Sequence, residues 1–234
     1  MLVSHRKKFI FLKTGKTAGT SVELYFEPWC VPEGVEADKA LRPALETEAG
    51  IVGPRRMQPD PGEKYFSHAP AQRVKGWVGP EIWDDYLKFS IVRNPFDKVV
   101  SWFHFHMPAE EKERLSSLEF AETRKVFRDW LIIAPQVPRD RHFCTIGGEF
   151  CLDHVMRYER LTEDLEAMCG RLEIPFEPER LPHRKKGYRD GFPDWRRYYT
   201  DETVAVINRI YAWELETFGY AFDQSEIDAG QGAL

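Results

Sequence analysis

The N-terminal part of the chain has a strand, a tight loop and a helix in immediate succession, and this order limits the folds available to it. Phe9-Ile-Phe-Leu-Lys13 is an apolar run of strand formers, residues 14–20 are rich in glycine and threonine, and residues 20–26 have helical character. The same order recurs as a strand at 88–92, a turn at 93–95 and a helix at 96–106. Strands that alternate with helices predict a three-layer α/β fold, with a central, mainly parallel sheet flanked by helices.

The rest of the chain fits a single domain over residues 1–222, followed by a loose polar tail over 223–234. Residues 28–62 are rich in proline, glycine and charge, which predicts a surface excursion or a lid. We predict one further strand, at 155–158, and helices at 71–77, 81–87, 118–134 and 161–172, with a last helix that begins at Thr200-Asp201.

Composition excludes several classes of protein. The 234 residues are 42% hydrophobic, which is enough for a sizeable core, and their net charge of −5 argues against a nucleic-acid partner bound by overall charge. No apolar run approaches the roughly 18–20 residues of a membrane span. The four cysteines form no CxxC pair, so we expect reduced thiols and a cytoplasmic protein.

The first loop carries phosphate-binding chemistry. Backbone N–H groups in a loop between a strand and a helix bind anions together with the helix dipole, and Lys16 adds a charge. Thr17, Thr20 and Ser21 add hydroxyl donors. The alternative is an ordinary polar turn with a helix cap. The lysine precedes the second glycine, so the nucleotide-triphosphate pattern GxxxxGK[ST] is not met.

A second candidate lies at the end of the strand at 88–92. Arg93 follows this strand, where we expect its planar fork to be free for bidentate phosphate binding, and Ser101 lies about two helical turns later. The alternative is a surface arginine with an ordinary helical serine. In parallel sheets, ligands bind at the carboxyl ends of the strands, so both loops are expected to form one site.

These motifs together resemble the superfamily of sulfotransferases that use 3′-phosphoadenosine 5′-phosphosulfate (PAPS), in its bacterial and carbohydrate-type branch. Lys16-Thr17-Ala18-Gly19-Thr20-Ser21 is similar to the family's 5′-phosphosulfate loop, although Gly15 stands where proline is usual. Arg93-Asn-Pro with Ser101 is similar to the 3′-phosphate motif.

Weaker similarities extend over most of the chain. Tyr158 lies in a segment that resembles one near the adenine, and Lys185, Lys186 and Gly187 resemble a basic loop that closes over the nucleotide. Phe218-Gly-Tyr220 matches a common C-terminal ending.

The resemblance implies a P-loop-like fold and transfer of a sulfuryl group from PAPS to a hydroxyl of a small-molecule or glycan acceptor. Lys16 would stabilise the leaving group, the loop would hold the 5′-phosphate and sulfuryl oxygens, and Arg93 with Ser101 would hold the 3′-phosphate. Such positioning and charge stabilisation require no metal if lysine and backbone dipoles supply the positive field.

The acceptor hydroxyl needs a base, for which we predict His68 because many family members place a histidine between the two phosphate motifs. Glu63, Asp84 and Asp85 are competing candidates. His104 and His106 form an H-x-H pair without an evident third metal ligand, and lining of the acceptor pocket is the alternative for them.

Two rival functions stay open at this level. An ATP-dependent small-molecule kinase of the same broad fold would bind ATP with magnesium, but we find no acidic strand end to hold the metal. A non-catalytic nucleotide-binding protein would bind the nucleotide without transfer.

Overall fold

The computed structural model describes residues 1–35, 43–55, 62–133, 136–181 and 193–223. These residues fall into two compact units. The first comprises Met1–Val92 with Asp140–Arg184, and the second comprises Arg93–Arg139 with Lys185–Ala233.

The first unit contains a mixed six-stranded sheet in the order β3-β4-β1-β2-β5-β8. Its strands are β1 (Leu2–Ser4), β2 (Phe9–Leu12), β3 (Leu45–Thr47), β4 (Gly50–Val52), β5 (Leu87–Val92) and β8 (His154–Arg157). A short hairpin, β6 (Thr145–Ile146) with β7 (Glu149–Phe150), turns through Gly147 and Gly148, both at positive φ.

The predicted parallel pairing holds in one half of this sheet only. β2 pairs in parallel with β5, and β5 pairs in parallel with β8. β1, β3 and β4 form the other half by antiparallel pairing, so the sheet is mixed rather than mainly parallel. These three strands have three residues each, and a run that short gives no readable periodicity.

The segment 28–62 is therefore not a surface excursion throughout. Gly50–Val52 is buried and pairs with β1 inside the sheet, while Leu45–Thr47 forms the sheet edge. Residues 36–42 and 56–61 of this segment lie outside the described residues.

The described residues form nine α-helices, which include the predicted ones with small shifts at their ends and three others that were not predicted. They are α1 (Gly19–Phe26), α2 (Ala71–Asp85), α3 (Pro95–His106), α4 (Ala109–Ser116), α5 (Phe120–Ile132), α6 (Arg141–Cys144), α7 (Leu161–Arg171), α8 (Asp201–Ile210) and α9 (Ala212–Phe218). α2 joins the two helices predicted there, and Gly79 (φ 82°) breaks it just before Pro80. No helix in the described ranges has the length and apolarity that a bilayer crossing requires.

Each unit has its own apolar core. In the first, fully buried side chains of β2 and β5 pack with α1 and α7, and Phe9, Phe26 and Phe89 form the aromatic centre. In the second, α3, α5 and α8 surround Tyr198, which is fully buried. Thr200 caps α8 through a reciprocal pair of hydrogen bonds with Thr203, as its residue type predicts.

Candidate functional site

The loop between β2 and α1 has an unusual backbone. Lys16 and Ala18 both have φ of 61°, in the left-handed region that residues with a Cβ seldom occupy. Such conformations cost on the order of 1–3 kcal/mol each and persist only where the surroundings enforce them. Ala18 precedes α1 without a side-chain cap, and the Ser21 amide donates to the Ala18 carbonyl oxygen at 2.8 Å. Among the described residues, the amides of Gly19 and Thr20 are therefore the ones left for an outside acceptor.

Two threonines anchor this loop to the neighbouring strand. The Thr14 hydroxyl donates to the Ile91 carbonyl of β5, so Thr17 Oγ1, 2.8 Å away, must donate to Thr14 Oγ1. Thr17 is fully buried. The Thr17 hydroxyl is therefore engaged inside the loop in this structure, and its role as a ligand donor stays a prediction. Thr20 and Ser21 show no such internal use among the described residues.

A buried ion pair lies behind the loop. Lys13 Nζ is 2.8 Å from Glu23 Oε2 of α1, and both side chains are buried. The N-terminal ammonium of Met1 lies 3.6 Å from Glu23 Oε1, and Arg55 Nε lies 3.7 Å from Oε2. Burial alone raises the pKa of Glu23, but the charges of Lys13, the N-terminus and Arg55 outweigh it and lower the pKa to about 2.

Gly19 leaves room for the Lys13 side chain, which passes over the first turn of α1. A Cβ at this position would lie 2.9 Å from Lys13 Cγ and 3.3 Å from the Thr14 carbonyl oxygen. The aliphatic part of Lys13 thus packs directly on the backbone of α1. Contacts with β5, with α1 and within the Lys13–Glu23 ion pair together fix the loop.

His68 lies beside the same loop. Its Nδ1 is 3.0 Å from the carbonyl oxygen of Lys13. A carbonyl only accepts, so Nδ1 carries the proton and Nε2 keeps its lone pair. Desolvation by the surrounding protein has the largest effect on the pKa of His68, and the positive charges of Lys13 and the N-terminus add to it. Together they lower this pKa to about 4, so the ring is neutral at pH 7. Part of the ring is exposed, and contact with water moderates the desolvation.

Tyr158, the residue predicted to lie near the adenine, also belongs to the first unit. It follows β8 in a 3₁₀ turn (Tyr158–Arg160) and packs, partly buried, against the core of this unit. Asp164 of α7 accepts from the Arg157 backbone amide at 2.6 Å and fixes the end of β8.

In the second unit, Arg93 lies two residues before α3 (Pro95–His106), and Ser101 lies in the middle of this helix. Asp97 Oδ2 is 2.7 Å from Arg93 Nε and 2.5 Å from Arg93 Nη2, and the arginine is 6% exposed. The expectation that the Arg93 guanidinium is free of protein partners is therefore wrong, because the carboxylate of Asp97, one helical turn later, pairs with it. Ser101 lies four residues after Asp97 on the same helical face.

The two histidines of the H-x-H pair, His104 and His106, lie in different environments on α3. His104 is buried, with Nε2 2.7 Å from the Tyr198 hydroxyl, whereas exposed His106 bonds to the Trp102 carbonyl. No cluster of three His, Cys, Asp or Glu side chains suitable for a metal occurs among the residues described.

The competing bases have other contacts. Glu63 accepts from the Ala44 amide at 3.1 Å, Asp85 pairs with Lys8 at 2.8 Å, and Asp84 is exposed on α2. Lys185, Lys186 and Gly187 lie outside the described residues.

Sequence reasoning missed Lys13, Glu23 and Asp97. Asp97 had a readable pattern, because an acidic residue four positions after an arginine at a helix start favours an ion pair. Glu23 gave no such indication, because its partner belongs to another element.

Comparisons with known proteins identify the family of this chain. An uncharacterized protein of Archaeoglobus fulgidus is 29% identical over 108 residues, which are 46% of this chain and 85% of that protein. No solved structure matches the chain. A family model described as the sulfotransferase family matches residues 1–221, which run through both units. This chain therefore belongs to the sulfotransferase family.

Proposed function

We propose that this protein transfers the sulfuryl group of PAPS to a hydroxyl of a carbohydrate or glycoconjugate acceptor. The observation that carries the proposal is the loop at 14–21, which combines left-handed Lys16 and Ala18 with a helix start and a buried charge pair behind it. Family membership supports sulfuryl transfer in general. PAPS as donor and a carbohydrate as acceptor are our inference.

The donor set of the loop fits the 5′ end of such a nucleotide. In this proposal the groups that bind phosphosulfate oxygens are the backbone amides from Ala18 to Thr20, the hydroxyls of Thr20 and Ser21 and the Lys16 ammonium. Lys16 would stabilise the negative charge that develops as the nucleotide leaves.

The 3′-phosphate is assigned to Arg93 and Ser101, with Asp97 as the residue that orients the guanidinium. Tyr158 is assigned to the adenine, and Lys185, Lys186 and Gly187 to the closing loop. β2 and β5 are parallel neighbours, so their carboxyl ends lie side by side. Arg93 is the residue that follows β5, which supports these assignments.

His68 is the proposed base. Its Nε2 would accept the proton of the acceptor hydroxyl while the acceptor oxygen bonds to sulfur and the bond from sulfur to the 5′-phosphate oxygen breaks. The hydrogen bond to the Lys13 carbonyl supports this role, because it fixes the ring in the tautomer that can accept.

We propose a cytoplasmic location and a single domain over residues 1–222. All four cysteines are free thiols, three of them buried, which suits a reducing compartment. The family match through both units supports one domain.

Nucleotide preference gives the first test. A thermal-shift comparison of adenosine 3′,5′-bisphosphate with ATP and magnesium should show stabilisation by the bisphosphate, of about 2.7 kcal/mol at a hundred times its dissociation constant. Preference for ATP and magnesium would instead favour the kinase, and absence of any shift would contradict a nucleotide-binding function.

Transfer is then measured with ³⁵S-labelled PAPS and a panel of sugars, lipids and phenols. Lys16→Ala should abolish turnover and weaken bisphosphate binding only modestly, whereas Arg93→Ala should chiefly weaken binding. Lys125→Ala, on the exposed side of α5, is the matched control. Wild-type turnover in Lys16→Ala would overturn the mechanism, and binding without transfer in the wild type would favour the non-catalytic alternative.

A further inference from the structure

The first two turns of α2 border an open groove that has no part in the phosphate chemistry. Its volume is about 510 Å³, within the range of small-molecule sites. It is lined by Pro70, Gln72, Arg73, Gly76 and Trp77.

Helical geometry places the groove's main features on one face of α2. Trp77 is four residues after Arg73, and Gly76 lies between them on the same side. A Cβ built on Gly76 would meet no atom within 4 Å, so the glycine leaves open space beside the indole.

The indole ring has a fixed orientation. Tyr65 and Phe66 contact Trp77 edge to face, with centroid distances of 5.3 and 5.0 Å and interplanar angles of 85° and 87°. The tryptophan is only partly buried, so it offers a rigid apolar surface together with an N–H donor at its edge.

The groove also carries a cation. Arg73 is exposed and forms no hydrogen bond or ion pair with any residue in the described ranges. Its guanidinium matches carboxylate geometry, and exposed Gln72 beside it offers both a donor and an acceptor. A flat apolar face next to a guanidinium suits a ring that has one apolar side and a carboxylate, which describes an acidic sugar.

The groove is close to the proposed base. Pro70 lines its end and lies two residues after His68, so their Cα atoms are at most about 7 Å apart. Trp77 lies about 10 Å beyond Pro70 along the helix, so a glycan of a few sugar units bound along Arg73 and Trp77 would reach from the groove to His68.

We propose that this groove is an acceptor subsite in which an acidic sugar ring stacks on Trp77 and pairs with Arg73. The proposal rests on the proposed function, because it extends that site toward its acceptor. Arg73, Gly76 and Trp77 are then the residues that determine acceptor specificity.

Gly76→Leu is the sharpest test, because its Cβ has open space, its side chain adds bulk to the groove and leucine favours the helix. Gly170→Leu in α7 is the matched control, since this helical glycine also faces open space. Binding of a hyaluronan hexasaccharide, which carries carboxylates, is measured by calorimetry beside the neutral maltohexaose. We expect wild type and Gly170→Leu to bind the acidic probe preferentially, and Gly76→Leu and Arg73→Ala to bind it at least tenfold more weakly.

Nucleotide binding separates this proposal from the proposed function. Thermal shifts with adenosine 3′,5′-bisphosphate should be equal in all four proteins. Equal hexasaccharide binding by wild type and Gly76→Leu, or no preference for the acidic probe, would overturn the subsite whatever the nucleotide result. A lost bisphosphate shift in the wild type would overturn the proposed function, while selective loss of hexasaccharide binding in Gly76→Leu would still support the groove.

Discussion

At the scale of single residues, Lys13 links the phosphate loop to His68 in two ways. Its carbonyl accepts from the imidazole Nδ1, and its ammonium is one of the charges that lower the pKa of His68. Backbone and side chain of one residue thus act on the orientation and on the protonation of the proposed base.

Lys13→Met should raise the pKa of His68, because it removes a positive charge and keeps the carbonyl. Titration of the imidazole followed by NMR measures the change. The double variant Lys13→Met/Glu23→Gln removes both charges of the buried pair and should still raise this pKa, by less, since Lys13 has the larger effect on His68 than Glu23. An unchanged pKa in both variants would mean that the Lys13 charge has no part in the shift.

At the scale of elements, strand β2, its loop and helix α1 act as one body. The Lys13–Glu23 pair crosses from strand to helix, and Thr14 ties the loop to β5. These contacts hold Lys16 and Ala18 in left-handed conformations that the local sequence does not favour.

Removing one partner of this pair should destabilise the protein strongly. Glu23→Gln leaves Lys13 buried without its carboxylate, whereas Arg55 keeps its ion pair with Glu27, and the loss of one partner of a buried pair costs about 3–5 kcal/mol. The free energy of unfolding, measured with urea, gives the value. Lys13→Met/Glu23→Gln should recover part of the loss, and a double variant no more stable than Glu23→Gln would contradict the coupling.

At the scale of the whole molecule, titratable groups with a lowered pKa in the native state should govern stability in acid. Below about pH 6.5, an unfolded chain binds a proton at His68 that the native state does not bind until about pH 4. Glu23 stabilises the native state above its ordinary pKa, and this contribution is lost as the pH falls from about 4.5 to about 2. Both effects lower stability on acidification.

Urea unfolding at pH 7.5, 5.5 and 4 should therefore show a falling free energy of unfolding. His68→Gln should flatten the part between pH 6.5 and 4, since it removes that titration. His106→Gln, at an exposed histidine of α3, serves as the control and should leave the slope unchanged. A slope equal in wild type and His68→Gln would show that other groups cause the dependence.

Local sequence determined the parts of this protein whose causes are local. β2, α1, β5, α3 and α7 follow from apolar runs and periodicity, and Thr200 follows from its capping chemistry. The composition of the loop at 14–21 pointed to phosphate binding, because glycine, threonine and lysine between a strand and a helix have that use in many folds.

Tertiary structure alone decided what depends on distant partners. β1 and β4 are strands because each completes the other's hydrogen bonds, which three residues cannot indicate by themselves. The Thr17 hydroxyl turned inward because Thr14 is bound to β5, and Glu23 became the partner of Lys13 only through the packing of α1 on the sheet. Periodicity reports which face of an element is buried, but the identity of the group that it meets there is set by the fold.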